Sequence, residues 1–192
     1  FASLCPIVGN VVHSQTSYSM SEQVIGAGRF LKLVNDCGWE FVTREGTTGV
    51  IAVVPLTADG HIILVEQFRP PVRCNVIEIP AGLAGDVAGE ESESLETAAR
   101  RELLEETGYG NGRWRQIGTS PSSAGLTNEV LTFFVAEDVE PIGTGGGDGS
   151  EQIVIHRLPL DELRKWLKEK AQSGLMIDAK IYAGLSMAGR ML

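Results

Sequence analysis

Glu102, Glu105 and Glu106 are the side chains whose type and spacing could do chemistry. They lie in the run Arg101-Glu-Leu-Leu-Glu-Glu-Thr-Gly-Tyr109. Residues four apart share a helical face, so Glu102 and Glu106 project together, with Glu105 beside them. Like charges at that spacing cost a helix roughly 0.2–0.5 kcal/mol, and carboxylates on a last turn oppose the helix dipole. The bland alternative is a solvated acidic face. A hard divalent cation removes the conflict, because Mg²⁺ takes oxygen ligands and couples to phosphates through few carboxylates. The chemistry of such a set is metal-assisted work on phosphate-bearing molecules. His13, His61 and His156 are scattered without ligand spacing, so zinc is not indicated.

These acids need elements to hold them. Of 192 residues, 43% are apolar and 21% charged, a globular composition. Sixteen Lys and Arg against 25 Asp and Glu leave a net charge of -9, which argues against a nucleic-acid binder. No apolar run reaches the ~18 residues of a membrane span. Cys5, Cys37 and Cys74 offer neither a disulfide framework nor metal spacing, the pattern of a reduced cytoplasmic protein. Residues 1–20 read as a disordered or tag-like segment. Gly49–Pro55 and His61–Phe68 flank an Asp59-Gly60 turn and predict a hairpin. Val76–Ile79, Trp114–Gly118, Val130–Ala136 and Gln152–Leu158 read as further strands. Glu93–Thr107 has helical spacing, with Leu95, Ala98, Ala99 and Leu103 on one face and Gly108 as its stop. Leu160–Ala171 and Asp178–Met191 read as later helices. Hairpins with helices between them indicate an α+β sandwich. Two loops stand out: the polar Thr119–Asn128, and Gly143–Ser150, which is glycine-dense enough to be mobile.

Arg101–Tyr109 resembles the second half of the Nudix box, Arg-Glu-(bulky)-x-Glu-Glu-x-Gly-(bulky), at every specified position. Seven residues separate Glu93 from Arg101, the spacing of the box's earlier glutamate; Glu90, which follows a glycine as is common in the family, and Glu91 are the other candidates for that role. The box glycine would fall on Val87, and Pro80-Ala-Gly-Leu83 instead resembles the family's Ala-Gly-Leu segment. Gln67-Phe-Arg-Pro-Pro71, Glu78-Ile-Pro-Ala-Gly82, Trp39-Glu40 with Arg44, and Ile177–Leu185 are similar to the branch acting on ADP-ribose and nucleoside diphosphate sugars. The resemblance implies a Nudix-type α/β/α sandwich with a mixed sheet over 49–192. It also implies a small β-rich N-terminal segment, 21–48, that makes a homodimer and builds the partner's nucleotide site.

Roles follow from that likeness. Glu102 and Glu106, with the Ala81 carbonyl, would hold Mg²⁺, with Mn²⁺ as a substitute, and Glu105 would be an additional ligand or bridging group. Arg101 would pair with the early glutamate, Glu93 by spacing, and brace the loop and helix. Glu151 is the general-base candidate, on a loop that can swing in, with Asp148 and Glu129 in reserve. Arg69, ahead of two prolines, would aim its guanidinium at a phosphate. Trp39 would stack on a base, Glu40 accept from an exocyclic amine, and Arg44 meet a phosphate or the base. The implied reaction is hydrolysis of ADP-ribose or a related nucleoside diphosphate sugar to a nucleoside monophosphate and a sugar phosphate. The alternatives are another Nudix substrate (a dinucleoside polyphosphate, NADH or a damaged nucleoside triphosphate) or a non-catalytic nucleotide-binding module.

Overall fold

Three short antiparallel strands, β1 (Gln23–Ala27), β2 (Leu31–Asp36) and β3 (Trp39–Arg44), form a sheet of their own in the computed structural model. The structure describes residues 22–87, 89, 91–147 and 152–190. Val34 is buried, while Val24, Ile25, Phe30, Leu31 and Leu33 leave an apolar surface exposed. The sheet is fastened to the rest of the chain through its last strand. Val42 N–H donates to the Leu126 carbonyl at 2.8 Å, and Asn128 Nδ2 donates to Thr43 Oγ1 at 3.1 Å.

The Asp59-Gly60 turn joins β4 (Gly49–Leu56) to β5 (His61–Arg69), as the sequence predicts. The predicted hairpin is only partial. The two strands pair at Leu56–Ile62 beside the turn and then part. Into this fork runs the segment of β6 (Cys74–Glu78) and β7 (Ala81–Ala84), with β6 antiparallel to β5 and β7 antiparallel to β4. Then follow α1 (Leu95–Thr107), β8 (Tyr109–Gly110), β9 (Arg113–Pro121), β10 (Val130–Glu137), β11 (Glu140–Pro141), β12 (Val154–Pro159), α2 (Leu163–Gln172), β13 (Met176–Ile177) and α3 (Ala179–Met187). The main sheet runs β13-β6-β5-β4-β10-β9, with β12 on β5 and β7 on β4; β10 lies parallel to β4, so the sheet is mixed.

β4 is apolar at nearly every position because both of its faces are covered. Ile51 and Val53 pack with Ala98, Ala99 and Leu103 of α1. The alternating Ala52 and Val54 join Leu163 and Leu167 of α2 and Ile181 and Leu185 of α3. The result is the α/β/α sandwich expected. Element ends differ slightly from the reading of the sequence. Ser94 caps α1 by accepting from Thr97 N–H at 3.1 Å, so the helix begins after Glu93 rather than at it. Gly108 ends it in the left-handed conformation (φ 72°), as expected. A 3₁₀ turn, Leu160–Glu162, precedes α2. The last helix is shorter than 178–191, because Asp178 is its cap and left-handed Gly189 (φ 71°) follows its end. Among the described residues no helix is long and apolar enough to cross a membrane.

Candidate active site

Where β5 parts from β4, a cleft of about 810 Å³ opens between α1, the β6–β7 segment, the end of β9 and the start of α3. Glu102, Glu105 and Glu106 line one side of it. α1 presents them because its opposite face, Ala98, Ala99 and Leu103, is committed to the core. Glu106 is buried at 5% exposure, on a last turn that contains no basic residue. Burial raises the pKa of the Glu102 carboxyl against the opposing effect of Arg101.

Arg101 is the hub of this wall. Its guanidinium donates to both oxygens of Glu93 at 3.1 Å, to the Leu83 carbonyl at 3.0 Å, to Glu102 at 2.8 Å and to Glu105 at 3.2 Å. The Glu93 side chain is only 2% exposed, and Arg101 holds its pKa below the usual carboxylate range. One planar cation thus ties the segment before the helix to β7 and relieves the repulsion between Glu102 and Glu105. Of the two early glutamates among the described residues, Glu93 is the one placed on Arg101. Glu91 is exposed and accepts from Gly89 N–H, and Glu90 lies outside the described residues.

Gly82 makes room for the acids. A Cβ added there would sit 2.1 Å from Glu102 Cδ. Gly82→Ala should therefore push the Glu102 carboxylate aside and lower kcat/KM by about 10²-fold, as small displacements of aligned groups do. Thermal denaturation should change little, since the clash is with the far end of a flexible side chain. Loss of fold, or activity equal to the parent's, would contradict this account of Gly82.

The facing wall sets the expected Arg69 and Arg44 beside Glu78, Lys180 and Asp178, to which the sequence reading gave no role. Arg69 donates Nε to Glu78 Oε1 at 2.6 Å and Nη2 to Oε2 at 2.9 Å, a two-point pair with a carboxylate that is 3% exposed. Lys180 stands 3.7 Å from the same Oε2 and pairs closely with Asp178. Arg44 reaches the cleft from β3 and donates to Glu129 at 3.1 Å. Of the expected site residues, Arg44, Arg69, Ala81, Arg101, Glu102, Glu105 and Glu106 line this one cleft, and Glu93 stands behind Arg101. Trp39 and Glu40 do not line it; they sit on the N-terminal sheet, with Trp39 55% exposed. Glu151 and Asp148 lie outside the described residues.

The glycine-dense segment, expected to be mobile, is docked over its first part. Gly146 N–H donates to the Glu106 carbonyl at 2.9 Å, Gly147 N–H to the Glu105 carbonyl at 3.0 Å, and Ile142 and Gly143 both donate to Gly108. These donors satisfy carbonyls that a helix end leaves without partners. The approach requires glycine: Gly145 has φ 64°, and a Cβ on it would lie 2.4 Å from the Thr107 carbonyl carbon.

Seven carboxylates and four cations line the cleft, a net of three negative charges among the described residues. An anionic substrate would be repelled unless cations joined it. Among the described residues no three Asp, Glu, His or Cys side chains are grouped closely enough to hold a metal ion by themselves. The donors present are nonetheless hard oxygens on one helical face, which suits a cation that keeps its waters and shares itself with a phosphate.

Comparison with known proteins identifies the chain's relatives. A NUDIX domain family model matches residues 46–178. An ADP-sugar pyrophosphatase of Mus musculus is 34% identical, over 87% of this chain and 85% of that protein. An ADP-ribose pyrophosphatase of Bacillus subtilis (strain 168) is 40% identical over 91 residues, 47% of this chain and 46% of that protein. Against several relatives the chain aligns over about half to two thirds of their length. The crystal structure of an ADP compounds hydrolase shares the fold, with a TM-score of 0.68 at 20% identity, covering 92% of this chain and 95% of that one. Since the matched region holds the whole acidic helix together with Arg69, Glu78 and Ala81 of its cleft, the chain belongs to the Nudix family.

Proposed function

We propose that this Nudix hydrolase cleaves the pyrophosphate bond of ADP-ribose or a related nucleoside diphosphate sugar, with Mg²⁺, to a nucleoside monophosphate and a sugar phosphate. The observation that carries the reading is the single cleft in which the three α1 carboxylates face Arg69 and Arg44. Nudix hydrolases generally use divalent cations. Here Glu102 and Glu106, with the Ala81 carbonyl and Glu105, would hold Mg²⁺ or Mn²⁺. Bound there, the metal supplies charge neutralisation and acidifies water. Arg101 keeps the carboxylates in register and Glu93 keeps Arg101 in place. Arg69, fixed by Glu78, presents its guanidinium edge to a phosphate, and Glu151 takes the proton from the attacking water.

A panel of ADP-ribose, GDP-mannose and UDP-glucose with Mg²⁺, assayed for released monophosphate, tests the reading. Turnover of at least one, abolished by EDTA, is expected. Turnover of only dinucleoside polyphosphates or triphosphates would replace it.

The exposed apolar surface of the N-terminal sheet supports a homodimer in which Trp39 and Glu40 serve the partner's cleft. Sedimentation should then show twice the 20.6 kDa chain mass at micromolar concentration. Trp39→Ala should raise KM more than it lowers kcat. A monomeric sediment would remove the partner role of Trp39.

A further inference from the structure

We propose that Lys180 is a substrate-binding residue whose ammonium contacts a phosphoryl oxygen, beside Arg69. The proposal rests on the substrate reading above. Lys180 occupies the first turn of α3, where its own N–H is capped by the Asp178 carboxylate at 2.7 Å. A cation there opposes the helix dipole, so helix stability gives no reason for it.

The fold nevertheless directs it to the cleft. β13 pairs with β6 at Met176–Val76 and Ile177–Ile77, and Asp178 N–H donates to the Ile77 carbonyl at 2.9 Å. That registration brings the start of α3 beside Glu78, the next residue of β6. Arg69 and Lys180 consequently meet the same oxygen, Glu78 Oε2, and are neighbours on one wall.

The two cations differ in how they are committed. Arg69 spends two donors on a nearly fully buried carboxylate, which fixes its plane. The ammonium of Lys180 has three donors, and it pairs with Asp178 and, at a longer distance, with Glu78. At 25% exposure it faces the cleft with a donor to give. A pyrophosphate carries anionic oxygens on two phosphorus atoms, and two adjacent cations on a rigid wall match that pattern. In this arrangement Glu78 is a positioning residue: it orders both cations without touching substrate.

The test uses the full-length enzyme with Mg²⁺. Lys180→Met should raise KM for a hydrolysed nucleoside diphosphate sugar by about tenfold or more, with kcat changed less than about threefold, the signature of lost uniform binding. It should weaken ADP binding, measured by calorimetry, by a similar factor, and Lys180→Arg should restore most of both. KM and ADP affinity within about twofold of the parent in Lys180→Met would overturn the proposal. So would a Lys180→Arg variant as impaired as Lys180→Met.

A measurement on the unaltered protein guards against misfolding of the variants. ADP with Mg²⁺ should slow modification of Lys180 by an amine-reactive reagent at least about threefold, read by mass spectrometry, and equal rates with and without ADP would overturn the proposal. If the parent hydrolyses no nucleotide sugar, the functional reading fails, while ADP binding and lysine protection still decide the role of Lys180.

Discussion

Glu106→Gln should lower kcat by about 10³-fold at saturating Mg²⁺, roughly 4 kcal/mol of transition-state stabilisation, because a carboxylate that holds a catalytic cation has no neutral substitute. The fold should survive. Glu106 is 5% exposed on the last turn of α1, where the helix dipole opposes its charge and the turn itself carries no basic residue. Glutamine has nearly the same shape without that charge. Without metal, calorimetric melting of the variant should match the parent's or lie slightly above it. Activity within about threefold of the parent would remove Glu106 from metal binding. A large fall in melting temperature would make it a structural residue instead.

Arg101→Ala carries the largest expected loss of stability. The arginine compensates a Glu93 carboxylate that is 2% exposed, and it also holds the Leu83 carbonyl, Glu102 and Glu105. Removing one partner of a buried pair leaves a charge without its counter-ion, here with the Gly85 backbone N–H still donating to it, which costs about 3–5 kcal/mol. For a chain of this size the melting temperature should fall by roughly 10 °C. Arg101→Lys keeps the charge but not the fork that reaches four groups, so it should recover less than half of the loss. Adding Glu93→Gln to Arg101→Ala should restore part of the stability, because the orphaned charge is then absent. A loss below about 1 kcal/mol in Arg101→Ala, measured by urea unfolding, would show that the network is merely a surface arrangement.

What could be read beforehand divides by the range of the signal. α1 announced itself locally, through its apolar face at helical spacing and Gly108 at its end, and its acids were legible because they made no sense as plain helix surface. The Asp59-Gly60 turn was equally local. The fork was not: nothing within 49–68 says that β4 and β5 part after Leu56–Ile62, since that depends on β6 and β7 arriving between them. Glu78 was noticed only as part of a likeness, because its significance comes from burial and from Lys180, about a hundred residues away. The docking of the first part of the glycine segment was hidden for a related reason. Composition reports conformational freedom, and only the neighbouring helix end shows how Gly145 uses it. The assignment of Trp39 and Glu40 to a partner's site goes beyond one chain and stays with the dimer experiment.

The docking of Gly146 and Gly147 on the carbonyls of Glu106 and Glu105 makes those two amides natural reporters of the acidic site. The same two residues supply side chains to the cleft and backbone oxygens to the glycines. A ligand that binds the closed form better must disfavour the opening that exposes the amides, and by linkage opening weakens that ligand by the same factor. Hydrogen–deuterium exchange at Gly146 and Gly147 should slow when Mg²⁺ is added, and Gly145→Ala should lower apparent Mg²⁺ affinity in proportion to the closed population it removes.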